Sequence, residues 1–444
     1  MRGIVCPRPA LRAVAIVVGV VVLAGTAACS SGDEAPDEPP PEVADSWART
    51  DVWEHSDVLA YDRVAVGASP DTLAWVTRRG QGDTGALAYA ELRGNGEPTA
   101  VDLADPTPPA APPGAPPAAA AAGSDQVLIP VATACGDSLW AALAVTRDSP
   151  RGDNTGLVAW QGARSPDGFR AGTGGSAGAG QAAVPATRLP LPDGVDGVPE
   201  AAGAAVMDET AVAVALVGND PVVWHSTGDG SAAAADRWVA VDGLDLDVTG
   251  DVVSLRVSAD AERFVLAAVD RSGHARLWTS TDGDEWSAVE AGNLPDSSGG
   301  VALLNPVSGG RIVVGWFSTG DGEAAPNSAA EITVQSVDGD QLVDEGTVAA
   351  DDEHNMARVD VNAASLSPDD RLVLVGAAVR PSNEVVPMVW AQDGDRWTAS
   401  EQTELAGRID YEMRAAVPTR DALVALVTNR THIDVESWHW QRPE

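Results

Sequence analysis

The sequence predicts an all-β fold, a β-propeller of seven four-stranded blades, from a repeated phrase and from seven short apolar runs. The phrase reads W-T-S-T-D-G-D-E-W at 278–286, V-Q-S-V-D-G-D-Q-L at 334–342 and W-A-Q-D-G-D-R-W at 390–397. Aspartate-glycine between apolar residues indicates a hairpin, because glycine accepts positive φ and aspartate accepts hydrogen bonds from backbone N–H groups. The flanking tryptophans are expected to face each other across the hairpin or to lie near it. Recurrence at intervals of about fifty residues indicates repetition of one β unit.

The seven apolar runs predict the second strand of each blade. Runs that are apolar at consecutive positions are typical of strands buried on both faces, as in stacked blades. An alternating strand before each run and two strands after it, joined by the hairpin, give four strands per unit. A count of six or eight units is the alternative. The runs are 72–77, 138–145, 211–217, 264–269, 312–317, 372–379 and 422–427.

The two ends of the folded region, 46–444, predict how the ring closes. The last unit ends with a strand candidate at 433–441 and has no fourth strand after it. The segment S-W-A-R-T-D-V-W at 46–53 is left over before the first unit and is expected to supply that outer strand. Two low-complexity stretches, the proline-rich 105–123 and the glycine-rich 162–181, are predicted to be surface loops.

The N-terminal segment, 1–28, has the pattern of an export signal, with three arginines followed by an apolar run from Ala13 to Leu23. The sequence A-G-T-A-A-C-S-S-G resembles a bacterial lipoprotein lipobox, which implies lipidation of Cys29. Residues 29–45 are acidic and proline-rich, which predicts an extended tether. The alternatives are a plain secretory signal cleaved near Ala28 and an uncleaved membrane anchor.

Charge and cysteine content narrow the classes of partner. The formal net charge is −37, and the predicted signal contains no acid, so the exported part is still more acidic. Nucleic-acid binding is therefore not expected, because phosphate neutralisation needs basic side chains. Cys135 is the one cysteine of the folded region, so no intramolecular disulfide is expected there. We expect a monomer whose partners are the cell membrane, through the lipid, and a protein or glycan ligand.

The repeated phrase resembles the Asp-box of sialidase-type propellers, S-x-D-x-G-x-x-W, in the form found in exported actinobacterial lipoproteins. In this sequence the glycine comes one position early. The resemblance implies a structural role in hairpins that lie away from the central site. The residues that carry it are Ser280, Asp282, Gly283, Trp286, Ser336, Asp338, Gly339, Asp393, Gly394 and Trp397.

The resemblance also raises the alternative of a sialidase-like glycoside hydrolase, which would use a tyrosine nucleophile paired with glutamate. Tyr411, in R-I-D-Y-E at 408–412, is the tyrosine with suitable neighbours. Adjacent strand residues point to opposite faces, so Tyr411 and Glu412 are not expected to face one site without a bulge. No catalytic residue, cofactor or metal is therefore predicted. The acids of D-G-L-D-L-D at 242–247 are interpreted as a solvated loop in preference to a calcium site.

These observations predict an extracytoplasmic β-propeller, held at the outer face of the cytoplasmic membrane by lipid. Its expected role is that of a binding or scaffolding module at the cell envelope.

Cys29→Ser is expected to release the protein to the medium or leave it unprocessed. A diacylated cysteine supplies two membrane-inserting chains, whereas one chain binds only marginally. Cell fractionation and the intact mass check this, and Cys6→Ser, within the predicted signal, is the matched control. Unchanged membrane retention and an unchanged mature mass of Cys29→Ser would contradict the lipoprotein prediction.

Overall fold

The computed structural model describes residues 46–441 except for a set of gaps, and 45–444 belong to one compact unit. The predicted signal, Cys29 and the tether lie outside the described residues. The gaps are 55–64, 80–85, 94–98, 107–126, 148–153, 166–167, 170–182, 193, 196, 228–237, 242–250, 290–293, 296–297, 319–330, 340, 351–355, 368, 395, 402–410, 419–421 and 429–432.

The described strands form seven antiparallel sheets, which we number 1 to 7 along the chain. The chain enters through β1 (Ser46–Glu54), which belongs to sheet 7. Sheet 1 contains β2 (Ala65–Ser69), β3 (Thr72–Arg79), β4 (Ala86–Arg93) and β5 (Thr99–Asp102). Sheet 2 contains β6 (Val127–Cys135), β7 (Leu139–Arg147), β8 (Asn154–Ser165), β9 (Gly168–Phe169) and β10 (Thr187–Arg188). Sheet 3 contains β11 (Pro199–Met207), β12 (Thr210–Val217), β13 (Asp220–Thr227) and β14 (Trp238–Ala240).

The later sheets follow the same order. Sheet 4 contains β15 (Val252–Ala259), β16 (Phe264–Asp270), β17 (Ala275–Ser280) and β18 (Ser287–Ala288). Sheet 5 contains β19 (Gly300–Val307), β20 (Arg311–Phe317), β21 (Glu331–Asp338) and β22 (Gln341–Ala349). Sheet 6 contains β23 (Arg358–Leu366), β24 (Leu372–Val379), β25 (Val385–Asp393) and β26 (Arg396–Glu401). Sheet 7 contains β27 (Glu412–Pro418), β28 (Ala422–Thr428), β29 (Ile433–Gln441) and β1.

The β-propeller prediction is confirmed, but the prediction of seven four-stranded blades is wrong. Among the described strands, six sheets are four-stranded blades and sheet 2 has five strands. The long strand β8 pairs with β10 on its outer side and with the short β9 at its end. The predicted loop at 162–181 therefore starts too early, because 162–165 belong to β8 and 168–169 form β9.

Gly162 explains why a glycine-rich sequence continues a strand at this point. It lies opposite Trp140 of β7, and a Cβ on Gly162 would come within 2.6 Å of the indole. A glycine inside a strand often marks such a close approach. Close packing against a tryptophan, and not loop flexibility, therefore explains why residue 162 is a glycine.

Apart from residues at the strand ends, the side chains described for the second strand of each sheet are buried, as the apolar runs predict. Strands β16 and β24 are buried at every residue. The apolar clusters lie between neighbouring sheets: one joins β7 of sheet 2 to β12 of sheet 3, and another joins β12 to β16 of sheet 4. Burial on both faces requires a neighbour on each side, which is the reason for the continuous apolarity.

The N-terminal strand closes the ring. β1 pairs antiparallel with β29 from Ser46↔Gln441 to Glu54↔Asp434, so sheet 7 has the order β1, β29, β28, β27. The first strands β2, β6, β11, β15, β19, β23 and β27 contact one another in succession, and β27 returns to β2. We call these seven the inner strands. Each pairs with one neighbour and has a free edge toward the axis of the ring.

Six of the inner strands carry a β-bulge, a feature that the sequence did not predict. In each one, two residues of the inner strand lie opposite one residue of the second strand. Bulges interrupt the alternation of side chains and redirect a residue out of the sheet. The extra residues are Val131, Ala202, Val253, Ala302, Asn362 and Arg414.

Deleting residues 46–53 is expected to lower the melting temperature and promote aggregation, because the edge of β29 would lose its partner and present unpaired backbone groups. Thermal unfolding and light scattering check this. Deleting 30–42 of the tether is the control and should leave the melting temperature unchanged. If the deletion through Trp53 melts like the intact protein, ring closure by β1 does not stabilise the fold.

Candidate functional site: the central cavity and the hairpin turns

A cavity of about 660 Å³ lies at the axis of the ring. Its walls come from the inner strands and from the turns that connect first and second strands in sheets 1 to 5. Cavities of roughly 300–1,000 Å³ are typical of small-ligand sites. We call the cavity at the axis the central cavity, and we call the turns that line it its mouth. The described lining consists of 66–71, 131–137, 203–208, 256–261, 302–310, Asn362 and Arg414.

Among the described residues, the mouth of the central cavity is formed by sheets 1 to 5 alone, because the first turn of sheet 5 reaches the first turn of sheet 1. Strands β2 and β19 contact each other although sheets 1 and 5 are not neighbours. Pro306 and Ser308 of sheet 5 meet Ser69 and Pro70 of sheet 1 around a small secondary pocket. Sheets 6 and 7 consequently contribute only Asn362 and Arg414 to the described lining.

Bulged residues supply part of the wall. Val131, Ala302, Asn362 and Arg414 are extra residues of their strands, and all four line the cavity. The free edges of the inner strands bring backbone N–H and C=O groups to the same wall. Side chains of neighbouring sheets use some of these groups: Asn362 Nδ2 donates to the carbonyl of Met413 at 2.9 Å. The cavity thus offers backbone hydrogen-bonding groups on several sides.

Two arginines line the cavity away from the mouth. Arg256 is in the middle of β15, and Arg414 is the bulged residue near the start of β27. Part of the Arg256 surface is accessible from the cavity, but protein surrounds the side chain, and this burial lowers its pKa. Arginine remains protonated near neutral pH even so.

Arg414 is held by two partners. Its Nε atom contacts the carboxylate of Glu412 and lies 3.3 Å from the Thr428 hydroxyl. Burial raises the pKa of Glu412; Arg414 opposes this effect, whereas Asp360 adds to it. Both contacts use Nε, so they do not consume the terminal Nη donors of the guanidinium fork.

The mouth of the cavity carries four aspartates. Asp71 pairs with Arg93 at 2.9 Å, and Asp260 pairs with Arg263 at 3.3 Å. Asp137 and Asp208, in the adjacent turns of sheets 2 and 3, are exposed. The mouth therefore carries the carboxylates of Asp137 and Asp208 in addition to two ion pairs, and the interior carries Arg256 beside the Arg414–Glu412 pair. Sequence reasoning missed this site; its signal was an arginine within the first strand of two units, in V-S-L-R-V and E-M-R-A-A-V.

A buried ion pair joins sheets 1 and 2 beside the cavity wall. Arg164 Nε lies 3.0 Å from Glu91 Oε2, and the two side chains are 1% and 5% exposed. Arg164 Nη2 also donates to the Thr72 hydroxyl at 2.8 Å. Burial raises the pKa of the neighbouring Cys135 to about 11, so its thiol stays protonated near neutral pH and is a poor nucleophile.

Of the three repeated phrases, the first forms a wide turn closed by its aspartate. Asp282 Oδ1 accepts hydrogen bonds from the backbone N–H groups of Asp284 at 2.9 Å and Glu285 at 3.0 Å. Ser280 Oγ accepts one from the N–H of Gly283 at 2.8 Å, and Trp286 Nε1 donates to the Gly283 carbonyl at 3.1 Å. Burial alone would raise the pKa of Asp282, but these hydrogen bonds outweigh it and lower the pKa below its usual value.

The other two phrases form tighter turns. Asp338 pairs with Gln341 and Asp393 with Arg396, and Gly339 and Gly394 take φ values of +59° and +64°. In these hairpins the positive φ of glycine makes the turn possible.

Ser336 and Trp397 of these phrases contact Glu345. Ser336 donates to Glu345 Oε1 at 2.6 Å, and Trp397 Nε1 donates to the Glu345 carbonyl at 2.9 Å. Glu345 is the extra residue of a bulge in β22, and it thereby connects sheet 5 to sheet 6.

The paired tryptophans of the phrase are diagonal neighbours. Trp278 lies opposite Ala288, two residues beyond Trp286, and Trp390 lies opposite Ala399, two residues beyond Trp397. Both pairs belong to shared apolar clusters between sheets. Of the two arrangements expected from the sequence, the tryptophans adopt the second: they lie near the hairpin and do not face each other directly.

The hairpin turns and the mouth lie at the same end of the propeller. The chain reverses direction at each antiparallel connection, so the turn after the first strand and the turn after the third share one end. Arg263, in the first turn of sheet 4, donates to the carbonyl of Gly339 in the hairpin turn of sheet 5. The resemblance implied hairpins away from the central site, but this cavity extends to the hairpin end.

The residues considered for hydrolysis and metal binding do not form a described cluster. Tyr411 packs against the apolar cluster of sheets 1, 6 and 7, whereas Glu412 contacts Arg414. Residues 402–410 and 242–250, which include Arg408, Asp410 and the acids of D-G-L-D-L-D, lie outside the described residues. Within the described part of the chain, no group of three or more potential ligands could hold a metal ion, and no helix could span a membrane.

No family model and no curated protein sequence matches the chain. Similar solved structures include Trypanosoma rangeli sialidase with the inhibitor DANA, at 11% identity and a TM-score of 0.44, covering 79% of this chain and 60% of that one. Phage phi92 endosialidase gives 8% identity and a TM-score of 0.42, with 90% and 69% covered. A mutant Aleuria aurantia lectin with Fucα1-6GlcNAc gives 10% and 0.37, with 78% and 96% covered. This chain thus spans about 60% of the length of the Trypanosoma enzyme.

Asp282→Ala is expected to lower the free energy of unfolding by about 0.5–2 kcal/mol, because two backbone N–H groups lose their acceptor. Asp338→Ala, in a turn closed by backbone pairing of Asp338 with Gln341, should cost less. Chemical denaturation at pH 7 checks the order. The folded-state pKa of Asp282 is lowered, so its contribution is present above its unfolded pKa of about 3.9 and is lost as pH falls through the folded value. Equal losses for both variants at pH 7, or a difference that does not shrink as the pH is lowered, would contradict this account.

Proposed function

We propose that this protein is a lipid-tethered, extracytoplasmic β-propeller that binds a soluble ligand in its central cavity and acts as a binding or scaffolding module at the cell envelope. The observation that carries the proposal is the cavity itself. Its volume suits a small ligand, and inner strands from different sheets bring bulged side chains and backbone groups to its wall.

The form of the wall supports a binding role. Specific recognition needs a few polar groups held in place on rigid elements. Arg256, Asn362 and Arg414 stand on inner strands, and the same strands pack between neighbouring sheets. Arg414 is fixed further by Glu412 and Thr428. A ligand would therefore meet polar side chains that are already positioned.

The tether is the second part of the proposal. An export signal, a lipidated Cys29 and the extended segment 29–45 would hold the propeller at the outer face of the cytoplasmic membrane. The acidic surface, with a net charge of −37 for the whole chain, does not favour direct docking on anionic lipid. The lipid would then provide the contact with the membrane and leave the cavity to the ligand.

Val131→Trp is expected to obstruct the cavity and to reduce ligand retention at least about tenfold, because Val131 is a bulged residue of the wall. Soluble wall fragments released from the host cell by lysozyme are incubated with the full chain, and retained fragments are identified by mass spectrometry. Val239→Trp is the matched control, since Val239 is 54% exposed on the outer strand β14. Melting temperatures of both variants establish that they are folded.

Equal retention by the wild type and both variants, or no retention at all, would overturn binding in the cavity. Turnover of a fluorogenic sialoside that Tyr411→Phe abolishes without changing the melting temperature would instead support the sialidase-like alternative.

A further inference from the structure

The central cavity has a charge gradient along its axis. Arg256 and Arg414 lie inside, and the carboxylates of Asp137 and Asp208 lie at the mouth. The mouth arginines, Arg93 and Arg263, pair with Asp71 and Asp260 and not with these two aspartates. A ligand that matches the gradient carries an anionic group at its inner end and a cationic group at its outer end.

The depth of the cavity wall sets the length of the ligand. Arg256 and the mouth residue Asp260 are four positions apart along one extended chain, which corresponds to about 13 Å at ~3.3 Å per residue. An extended peptide covers 3.3–3.6 Å per residue, so about four residues separate its terminal charges over this length. The cavity volume of about 660 Å³ accommodates a ligand of that size.

The free edges of the inner strands favour a peptide over other dipolar molecules. Each inner strand pairs on one side only, and its other edge faces the axis. An extended peptide along the axis can pair with such an edge as an added strand. The bulges interrupt the edge, which limits this pairing to a short segment.

We propose that the central cavity binds a short peptide of about four residues, with its carboxyl terminus at Arg256 and Arg414 and its cationic amino terminus at Asp137 and Asp208. The guanidinium groups would form charge-assisted hydrogen bonds with the carboxylate. This proposal rests on the proposed binding function of the cavity and specifies the class of ligand.

Tetra-alanine with free termini is the probe, and its binding to the full-length protein is measured by calorimetry. Amidation of its carboxyl terminus should weaken binding at least about tenfold, because the charge-assisted bonds inside the cavity are lost. Acetylation of its amino terminus should weaken binding about two- to fivefold, and added salt should reduce this difference because the mouth is solvent-exposed.

Variants test the same contacts from the protein side. Arg256→Gln and Arg414→Gln should each remove most of the preference for the free carboxylate over the amide. Arg276→Gln, at an exposed position of β17, is the matched control and should keep it. Asp208→Asn should remove part of the preference for the free amino terminus. The wild-type measurements with the free, amidated and acetylated peptides do not depend on the folding of any variant.

Equal binding of tetra-alanine and its amide, or no binding of any of these peptides, would overturn the proposal. Glucuronic acid, a carboxylate without an amine, serves as the comparison ligand. If it binds and the peptides do not, the peptide proposal fails. In that case wall fragments can still be retained in the cavity, and the proposed function stands. If neither the peptides nor the wall fragments bind in the cavity, the proposed function is overturned as well.

Discussion

The rest of the structure depends on the packing of neighbouring sheets against each other. No apolar cluster of the described residues belongs to one sheet alone; each includes residues from at least two. A sheet with apolar residues on both faces cannot be stable in isolation, since burial requires a neighbour on each side. The ring satisfies this requirement for every sheet at once, and closure by β1 completes the last one.

Polar contacts between sheets help to determine which faces pack against each other. Trp160 of sheet 2 donates its Nε1 hydrogen to the Ala104 carbonyl after sheet 1 at 2.9 Å. The Arg164–Glu91 pair joins the same two sheets in a buried environment. Such a pair is weak evidence of stability, because desolvation offsets the Coulomb attraction, but loss of one partner typically costs about 3–5 kcal/mol. These contacts therefore specify which faces meet more than they increase the stability of the ring.

The same architecture leaves the axis available for a ligand. Side chains of the inner strands are used mainly between sheets, so a regular strand would present little besides its backbone edge to the axis. The bulges change this by directing Val131, Ala302, Asn362 and Arg414 to the cavity. The contact between β19 and β2 then restricts the cavity to one side of the ring axis. The polar residues of the cavity, Arg256, Asn362 and Arg414, thus stand on the same strands whose apolar residues pack between sheets.

The sequence by itself determined the propeller, the buried second strands, the hairpins and closure by 46–53, because these depend on local patterns of polarity and on turn residues. It did not determine the five strands of sheet 2, since Gly162 and the short strand β9 read as loop without the tryptophan and strand that they pack against. Nor did it determine the central cavity. Arg256 and Arg414 are far apart in the chain, and a bulge depends on how an inner strand fits between two sheets, so only the closed ring could bring these arginines to one site.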